Sequence, residues 1–345
     1  MNEIDLKNLW PLYVKAKEDE LLSSWMFRNA HNHHQKIYTF FKKYIDNSKG
    51  DQSKIWSVDL DRNPRNDIVL IMSKYTDSSY EKVLSTSLKH FEGRLFESII
   101  PNGNTRWVLP MGHHHTKSKR MSLQYCPSCL LKDQVPYFRK RWKLSISFVC
   151  IKCRAILRDS CWSCGAGINF IRSELGRKNE FNLNHITICH NCQSDLRHAR
   201  FQSSTDEEYK LQKILYDYID LGHTPHINYS HLYFDGLYQI CGIILTSRKT
   251  VFPLQFRIAK ECSIRFKPIL DEGEICFDYL DVKRRMDVLK MAHWLLDQWP
   301  ERFLSIMKQT KSGLSIQFLN CSDKSKMPFW YFSHSYAPGS CFISG

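Results

Sequence analysis

The chain has 345 residues, enough for two or three domains that each bury a hydrophobic core. Its 43% hydrophobic and 24% charged residues are typical of a globular protein and exclude wholesale disorder. The net charge of +14 makes a polyanion such as nucleic acid the first partner to consider, although a solvated basic surface would give the same value. No run approaches the roughly 18 apolar residues of a membrane-spanning helix, and the amino terminus lacks the apolar segment of a signal peptide, so we expect a cytoplasmic protein without membrane contact.

The first part of the chain, residues 1–112, has the pattern of several short helices. A first helix is predicted to begin near Glu18, because apolar residues recur at helical spacing after it. Further helices are predicted over residues 35–45, 64–75 and 79–90. Short helices separated by polar turns are typical of a helix-turn-helix domain, whose recognition helix would begin near Ser79. That helix offers few cations beyond Lys82 and Lys89, which is weak support for DNA contact.

Residues 101–120 have the composition of an exposed linker, rich in turn-forming and basic residues. The linker contains three consecutive histidines, His113–His115. Adjacent side chains diverge and do not readily share one ion, so we interpret these histidines as polar linker residues and not as a metal site.

Eight of the thirteen cysteines form four Cys-x-x-Cys pairs within residues 113–200. The pairs are Cys126/Cys129, Cys150/Cys153, Cys161/Cys164 and Cys189/Cys192. One such turn brings two thiolates to a Zn²⁺ ion, and a second turn some 15–20 residues later completes a tetrahedral shell. The gaps between successive pairs are twenty, seven and twenty-four residues, which favours consecutive pairing into two zinc sites. Interleaved pairing stays open.

Disulfide bonds are the alternative use of these cysteines. The odd total, the missing signal peptide and the adjacency within each pair favour metal ligation, because secreted disulfide frameworks scatter their cysteines. The remaining five cysteines lack this spacing and are predicted to be buried as small apolar residues. They are Cys241, Cys262, Cys276, Cys321 and Cys341.

A basic and aromatic segment, residues 133–143, separates the first two cysteine pairs. Its cations are Arg139, Lys140, Arg141 and Lys143. Cations interleaved with aromatic rings are typical of a nucleic-acid surface, where they contact phosphates and stack on bases. Alternatively, the aromatic rings form a small core beneath the cysteine pairs while the cations face solvent. The sequence leaves both interpretations open.

The last part of the chain, residues 201–345, is predicted to be helical. Thr205 and Glu208 have the spacing of a capping box, and the helix that follows should end near Gly222. Further helices are predicted over residues 230–245, from Asp281 to just before Pro300, and over 301–308. We assign no secondary structure or role to the aromatic tail from residue 328.

One pattern superficially matches an enzyme. His90 and Glu92 form an H-x-E motif upstream of Cys126 and Cys129, as in the zinc nucleobase deaminases. That signature needs a proline before the first cysteine and a zinc ion with an open position, whereas these pairs fit closed four-sulfur shells. Metalloprotease, P-loop and nucleophile-elbow motifs do not occur, so we expect no enzymatic activity.

Three longer motifs are spread over most of the chain. They are Asp19-Glu20-Leu21-Leu22-Ser23-Ser24-Trp25-x-x-Arg28; Tyr125-Cys126-Pro127-x-Cys129-Leu130-x-x-Asp133-x-x-Pro136-Tyr137-Phe138-Arg139-x-x-Trp142-x-Leu144, continuing into the next two cysteine pairs; and Leu295-Leu296-x-x-Trp299-Pro300-x-x-Phe303. Together they resemble the TniQ/TnsD family of transposon target-site selection proteins. Family members often carry histidine where this chain has Cys153, and both residue types are good zinc ligands.

The resemblance implies a non-enzymatic adaptor that brings a AAA+ transposition regulator, and through it the transposase, to an insertion site. Some relatives bind a DNA attachment site, whereas others dimerise head to tail and dock on a CRISPR RNA-guided effector complex. The alternative function is a zinc-containing, sequence-specific DNA-binding transcription regulator. We predict a mainly α fold with small zinc-ribbon-like β elements, divided into a helix-turn-helix domain (1–112), a double zinc-binding domain (113–200) and a helical domain (201–345).

Overall fold

The computed structural model describes residues 9–44, 59–101, 103–110, 121–174, 185–247, 249–268 and 276–310. The chain divides into two compact units, Met1–Glu92 with Ser98–Tyr209 and Gly93–Glu97 with Lys210–Gly345. The predicted mainly α fold with small β elements is confirmed. The division into three domains stays a prediction. Several sequence features lie outside the described residues, namely His113–His115, Cys321, Cys341 and the tail from residue 328.

The amino-terminal part of the first unit contains a buried helix. This helix, α1, spans Leu22–Asn32, and its residues from Leu22 to His31 are all buried. It is followed by α2 (Ile37–Tyr44), α3 (Asn66–Tyr75) and α4 (Tyr80–Leu84). The predicted start of α1 near Glu18 is four residues too early, because Leu21 adopts an extended backbone and its N–H bonds to the carbonyl of Phe138. Tertiary pairing here overrides local helix propensity.

Helices α3 and α4 form a helix-turn-helix arrangement with a four-residue turn, 76–79. The Ser79 hydroxyl caps α4 by accepting the N–H of Lys82 at 3.1 Å. The predicted helix 79–90 ends early at Leu84, and a short 3₁₀ helix, Leu88–Phe91, follows. Three consecutive hydroxyls between them donate to backbone carbonyls three residues earlier, and such bonds compete with helix continuation. They belong to Ser85, Thr86 and Ser87.

The β structure of the described residues is small and carries cysteines. Strands β1 (Val149–Cys150) and β2 (Ala155–Ile156) pair antiparallel, with Val149 opposite Ile156. A short helix, α5 (Pro127–Lys132), begins directly after Cys126. Proline at the first position of α5 is favourable because its missing N–H has no partner to lose there.

The carboxy-terminal helices follow the predicted pattern, with one further helix, Phe252–Glu261, that was not predicted. They are α6 (Asp206–Leu221), α7 (Ser230–Leu245), α8 (Phe252–Glu261), α9 (Val282–Leu296) and α10 (Glu301–Thr310). The capping box is formed, since the N–H of Thr205 bonds to Glu208 at 2.8 Å and the N–H of Glu208 bonds back to the Thr205 hydroxyl at 3.2 Å. Helix α7 packs against α9 in the core of the second unit. Among the described helices, none has both the length and the apolar character to cross a bilayer.

The Asp19-to-Arg28 motif contains a buried ion pair. Arg28 lies 2.6 and 2.7 Å from the two carboxylate oxygens of Glu20, whose side chain is fully buried. Glu20 also accepts the Ser24 hydroxyl at 3.1 Å and the N–H of Lys17 at 2.9 Å. Each carboxylate oxygen of Glu20 therefore accepts two hydrogen bonds from other groups of the protein.

Replacing Arg28 by methionine should destabilise the protein by about 3–5 kcal/mol, because Glu20 would be left as an uncompensated buried charge. The matched control is Lys15→Met, which removes one partner of an exposed pair with Asp77 and should cost no more than about 1 kcal/mol. Urea unfolding of both variants measures the difference. Equal losses of unfolding free energy would show that the Glu20–Arg28 pair contributes no more to stability than the exposed Lys15–Asp77 pair.

Candidate metal centres and basic segment

The first four cysteines form one cluster in the first unit. The Sγ atoms of Cys126, Cys129, Cys150 and Cys153 all lie within 4.8 Å of one another. Cys129 Sγ is 3.5 Å from Cys150 Sγ and 3.4 Å from Cys153 Sγ. Helix α5 positions the first pair, and the turn between β1 and β2 positions the second.

Cys161, Cys164, Cys189 and Cys192 form a second cluster, and their Sγ atoms also lie within 4.8 Å of one another. Its measured separations are 3.6 Å between Cys161 Sγ and Cys192 Sγ and 3.7 Å between Cys164 Sγ and Cys189 Sγ. Cys164 is exposed, so this cluster is more accessible than the first. The sulfurs are thus grouped consecutively and not interleaved.

Three of the four cysteine turns share one backbone geometry. The residue directly after the second cysteine has a positive φ, and its N–H bonds to the carbonyl of the first cysteine. These residues are Arg154 (φ +53°, 2.8 Å), Gly165 (φ +73°, 2.9 Å) and Gln193 (φ +66°, 3.1 Å). Only Gly165 signals this conformation in the sequence, because glycine adopts a positive φ without a steric penalty. The other two are enforced by the fold around the cysteines.

Both clusters fit a tetrahedral metal ion. Four sulfurs about 2.3 Å from a zinc ion lie about 3.8 Å from one another, whereas a disulfide requires about 2.05 Å. The measured separations of 3.4–3.7 Å agree with the first arrangement, and every described cysteine is a free thiol. Each cluster can therefore hold a metal ion, and an all-thiolate shell is consistent with zinc.

Polar groups contact the sulfurs of the second cluster, although burial raises the pKa of Cys161 and Cys189. The backbone N–H of Asn191 points to Cys189 Sγ at 3.4 Å, and its side-chain amide points to Cys164 Sγ at 3.5 Å. A hydrogen bond with Ser194 lowers the pKa of Cys192 to about 6. Such outer contacts orient ligand sulfurs and stabilise their negative charge.

Arg139 lies beside the first cluster and is buried. Its Nη2 donates to both oxygens of Asp133 at 2.9 and 3.0 Å, and its guanidinium centre lies 4.3 Å from the Tyr137 ring and 4.7 Å from the Trp142 ring. Burial acts to lower the pKa of Arg139, but the negative charges of a Cys129 thiolate and of Asp133 outweigh it and raise that pKa. Nη1 is buried without a hydrogen-bond partner. Four thiolates around one divalent ion would leave two negative charges uncompensated, and this guanidinium, although it is paired with Asp133, would offset part of that charge.

The other cations of the basic segment are also held by the protein. Lys143 Nζ is buried 2.5 Å from Asp59 and 3.4 Å from Asp61. Burial acts to lower the pKa of Lys143, and the two carboxylates outweigh it and raise the pKa. Lys140 is buried and donates to the carbonyl of Ser85, and Arg141 is half-buried, 3.9 Å from Asp19.

These contacts bear on the two interpretations of residues 133–143. Phe138 and Trp142 are buried, as the core interpretation predicts, but three of the four cations are buried with them. Nucleic-acid contact by Arg139, Lys140, Arg141 and Lys143 stays a prediction that their burial and pairing do not favour. A charge pattern in the sequence does not show which cations have acidic partners, and here the partners Asp59 and Asp61 lie more than eighty residues away.

The same segment pairs with the Asp19-to-Arg28 motif. The N–H of Leu21 bonds to the Phe138 carbonyl at 2.9 Å, and the N–H of Lys140 bonds to the Asp19 carbonyl at 2.7 Å. The N–H of Phe138 also donates to the Ser24 hydroxyl at 2.9 Å. Two motifs that are far apart in the sequence therefore form one structural element beside the first cysteine cluster.

A family model named TniQ matches residues 11–155. Residues 11–155 are therefore a TniQ domain. The TniQ match begins before the Asp19-to-Arg28 motif and ends after Cys153, so it contains both partners of the backbone pairing and the whole first cluster. It supports a transposition-associated role in target selection. No curated protein matches the chain.

The enzyme-like pattern is not part of either cluster. His90 and Glu92 are absent from both groups of potential metal ligands found among the described residues. Glu92 instead accepts the backbone N–H of Ile99 at 2.9 Å. Of the cysteines outside the pairs, Cys241 is buried as predicted, whereas Cys262 and Cys276 are half-buried.

Replacing Cys126 by serine should lower the zinc content from two ions per chain to one and destabilise the first unit by several kcal/mol, because metal binding free energy contributes directly to folding in such modules. Cys161→Ser should remove the other ion. The control is Cys262→Ser, which should leave the zinc content unchanged, since Cys262 belongs to neither cluster. Metal analysis together with thermal unfolding tests this, and unchanged zinc content and melting temperature in Cys126→Ser would contradict it.

Proposed function

We propose that this TniQ-family protein is a non-enzymatic adaptor for DNA transposition in the cytoplasm. It links a target-recognition element to a AAA+ transposition regulator and, through that regulator, to the transposase. The target-recognition element is a CRISPR RNA-guided effector complex or a DNA attachment site. The observation that carries the proposal is the TniQ match over residues 11–155, which contains the buried Asp19-to-Arg28 motif and the first cysteine cluster.

Two structural zinc ions per chain fit this role. Each cluster offers four protein ligands, which closes the tetrahedral shell and leaves no position for a reactive water. The thiolates of the first cluster come from α5 and from the β1–β2 turn, so an ion there would fix these elements to each other. A centre of this kind supplies geometry and folding free energy, which is what an adaptor requires.

The geometry of α4 favours recognition through a partner over direct base reading by this helix. As the second helix of the helix-turn-helix arrangement, α4 would be the one to enter the major groove. It has only five residues, and its two exposed side chains, Glu81 and Lys82, carry opposite charges. A helix in the major groove contacts phosphates and base edges. Because the charges of Glu81 and Lys82 cancel, α4 has no net positive charge to attract the phosphates. Head-to-tail dimerisation, which some relatives use, is part of the proposal for this chain.

The direct test is association of the zinc-loaded full-length chain with a AAA+ regulator and with target DNA, measured separately by pull-down and by fluorescence anisotropy. We expect association with the regulator, which should be lost in the Cys126→Ser, Cys161→Ser double variant because the middle of the protein would unfold. The control is Asp217→Asn, which breaks only an exposed pair with Lys213 and should bind as the unmodified chain does.

Each outcome of this experiment has a defined meaning. Association with neither the regulator nor DNA would overturn the proposed function. Sequence-specific DNA binding without any association with the regulator would support the alternative of a transcription regulator, for which the helix-turn-helix arrangement of α3 and α4 is the structural argument.

A further inference from the structure

An exposed surface near the second cysteine cluster combines aromatic rings with guanidinium groups. Its members are Arg158, Trp162, Arg200 and Phe201, and we refer to it as the Arg158–Phe201 surface. Phe201 is 50% exposed and Trp162 is 43% exposed, values that are high for large apolar side chains in a folded unit. Arg200 is exposed and Arg158 is half-buried.

Backbone pairing holds the two arginines next to each other. Arg158 exchanges backbone hydrogen bonds with Tyr125 at 2.8 and 2.9 Å, and the N–H of Ile156 bonds to the carbonyl of Gln202 at 2.9 Å. The side chain of Arg158 reaches across to the carbonyl of Arg200 at 3.3 Å. Phe201, between Arg200 and Gln202, is therefore presented on a segment of fixed position.

The Trp162 ring is fixed by the cysteine turn in which it lies. Trp162 follows Cys161 directly, and its only polar atom, Nε1, donates to the Asp195 carbonyl at 2.8 Å. Because this donor is satisfied within the protein, the exposed part of the side chain is aromatic surface. Asp195 lies five residues before Arg200 in the sequence, so the Trp162 contact is to the same segment of chain that carries Arg200 and Phe201.

The two arginines differ in charge balance from three other arginines of the first unit. Arg139, Arg154 and Arg197 are each paired with a carboxylate, of Asp133, Asp206 and Asp195 respectively. In the described ranges, no carboxylate lies within ion-pair distance of Arg158 or Arg200. Their positive charges are available to an anionic partner, and the excess of the chain, +14, is of the sign that attracts one.

We infer that the Arg158–Phe201 surface binds single-stranded nucleic acid, with phosphates at Arg158 and Arg200 and unpaired bases stacked on Trp162 and Phe201. Exposed rings stack only on bases that are not already stacked and paired within a duplex, so this chemistry selects single strands. The strand is RNA or DNA, since both have the same phosphates and aromatic faces. The inference deepens the proposed function, on which it rests for nucleic acid being among the partners.

The test uses the zinc-loaded full-length chain with labelled oligonucleotides of equal length: oligo-dT, oligo-U and a duplex. We expect tighter binding of a single strand than of the duplex. Trp162→Ala and Phe201→Ala should each weaken single-strand binding about tenfold, with recovery in Trp162→Phe. The matched control is Phe256→Ala, which removes an equally exposed ring, 51%, outside this surface and should change nothing.

The arginines are tested through the salt dependence of binding. The Arg158→Gln, Arg200→Gln double variant should lower the slope of log affinity against log salt by about 1.4, because each phosphate contact on a single strand contributes about 0.7. Trp162→Phe should leave that slope unchanged. Zinc content is measured in every variant, because loss of zinc from the second cluster could also weaken oligonucleotide binding. The relative affinities of oligo-dT and oligo-U distinguish a DNA source from an RNA source.

Three results would overturn the inference. They are unchanged single-strand affinity in both ring variants, tighter binding of the duplex than of either single strand, and loss of regulator association in the ring variants with single-strand binding intact, which would make this a protein-docking surface. Failure of oligonucleotide binding while the chain still associates with the AAA+ regulator would remove the inference and leave the proposed function standing.

Discussion

The pairing of Asp19–Leu21 with Phe138–Lys140 is the contact on which the first unit depends. It joins the start of α1 to the segment between the first two cysteine pairs through backbone hydrogen bonds of 2.7 and 2.9 Å. Because this interface is buried, every charge drawn into it needs a partner. Glu20 is matched by Arg28, Arg139 by Asp133, and Lys143 by Asp59 and Asp61. The basic character of the segment is therefore largely a property of the interior.

Local spacing in the sequence is enough to predict part of this structure. The eight cysteines, their consecutive grouping, the capping box at Thr205 and the bounds of α7 all depend on residues close together in the chain, and the structure shows each of them. The buried cations could not be predicted, because their partners lie far away in sequence. The end of α4 at Leu84 depends on competing hydroxyl hydrogen bonds, and α8 was missed although Pro253 stands at its start.

The two cysteine clusters differ in how exposed their cysteines and neighbouring side chains are. The first has three buried cysteines, has Arg139 beside it and lies inside the TniQ match, so its contribution is to the packing of the unit. The second has an exposed ligand, Cys164, and carries the exposed Trp162 on its first turn. In residues 133–143 most of the cations and aromatic rings are buried, whereas Trp162 and Phe201 are exposed.

The central claim is that the first metal centre and the amino-terminal helices form one cooperative structure through the pairing of Asp19–Leu21 with Phe138–Lys140. Hydrogen exchange of the α1 amides in the zinc-loaded protein tests it most directly, because exchange reports local opening free energies. The account predicts that removing the first centre with Cys126→Ser strongly accelerates exchange in Leu22–Asn32, whereas removing the second with Cys161→Ser has a much smaller effect. Unchanged protection of α1 in Cys126→Ser, or equal loss in both variants, would contradict it.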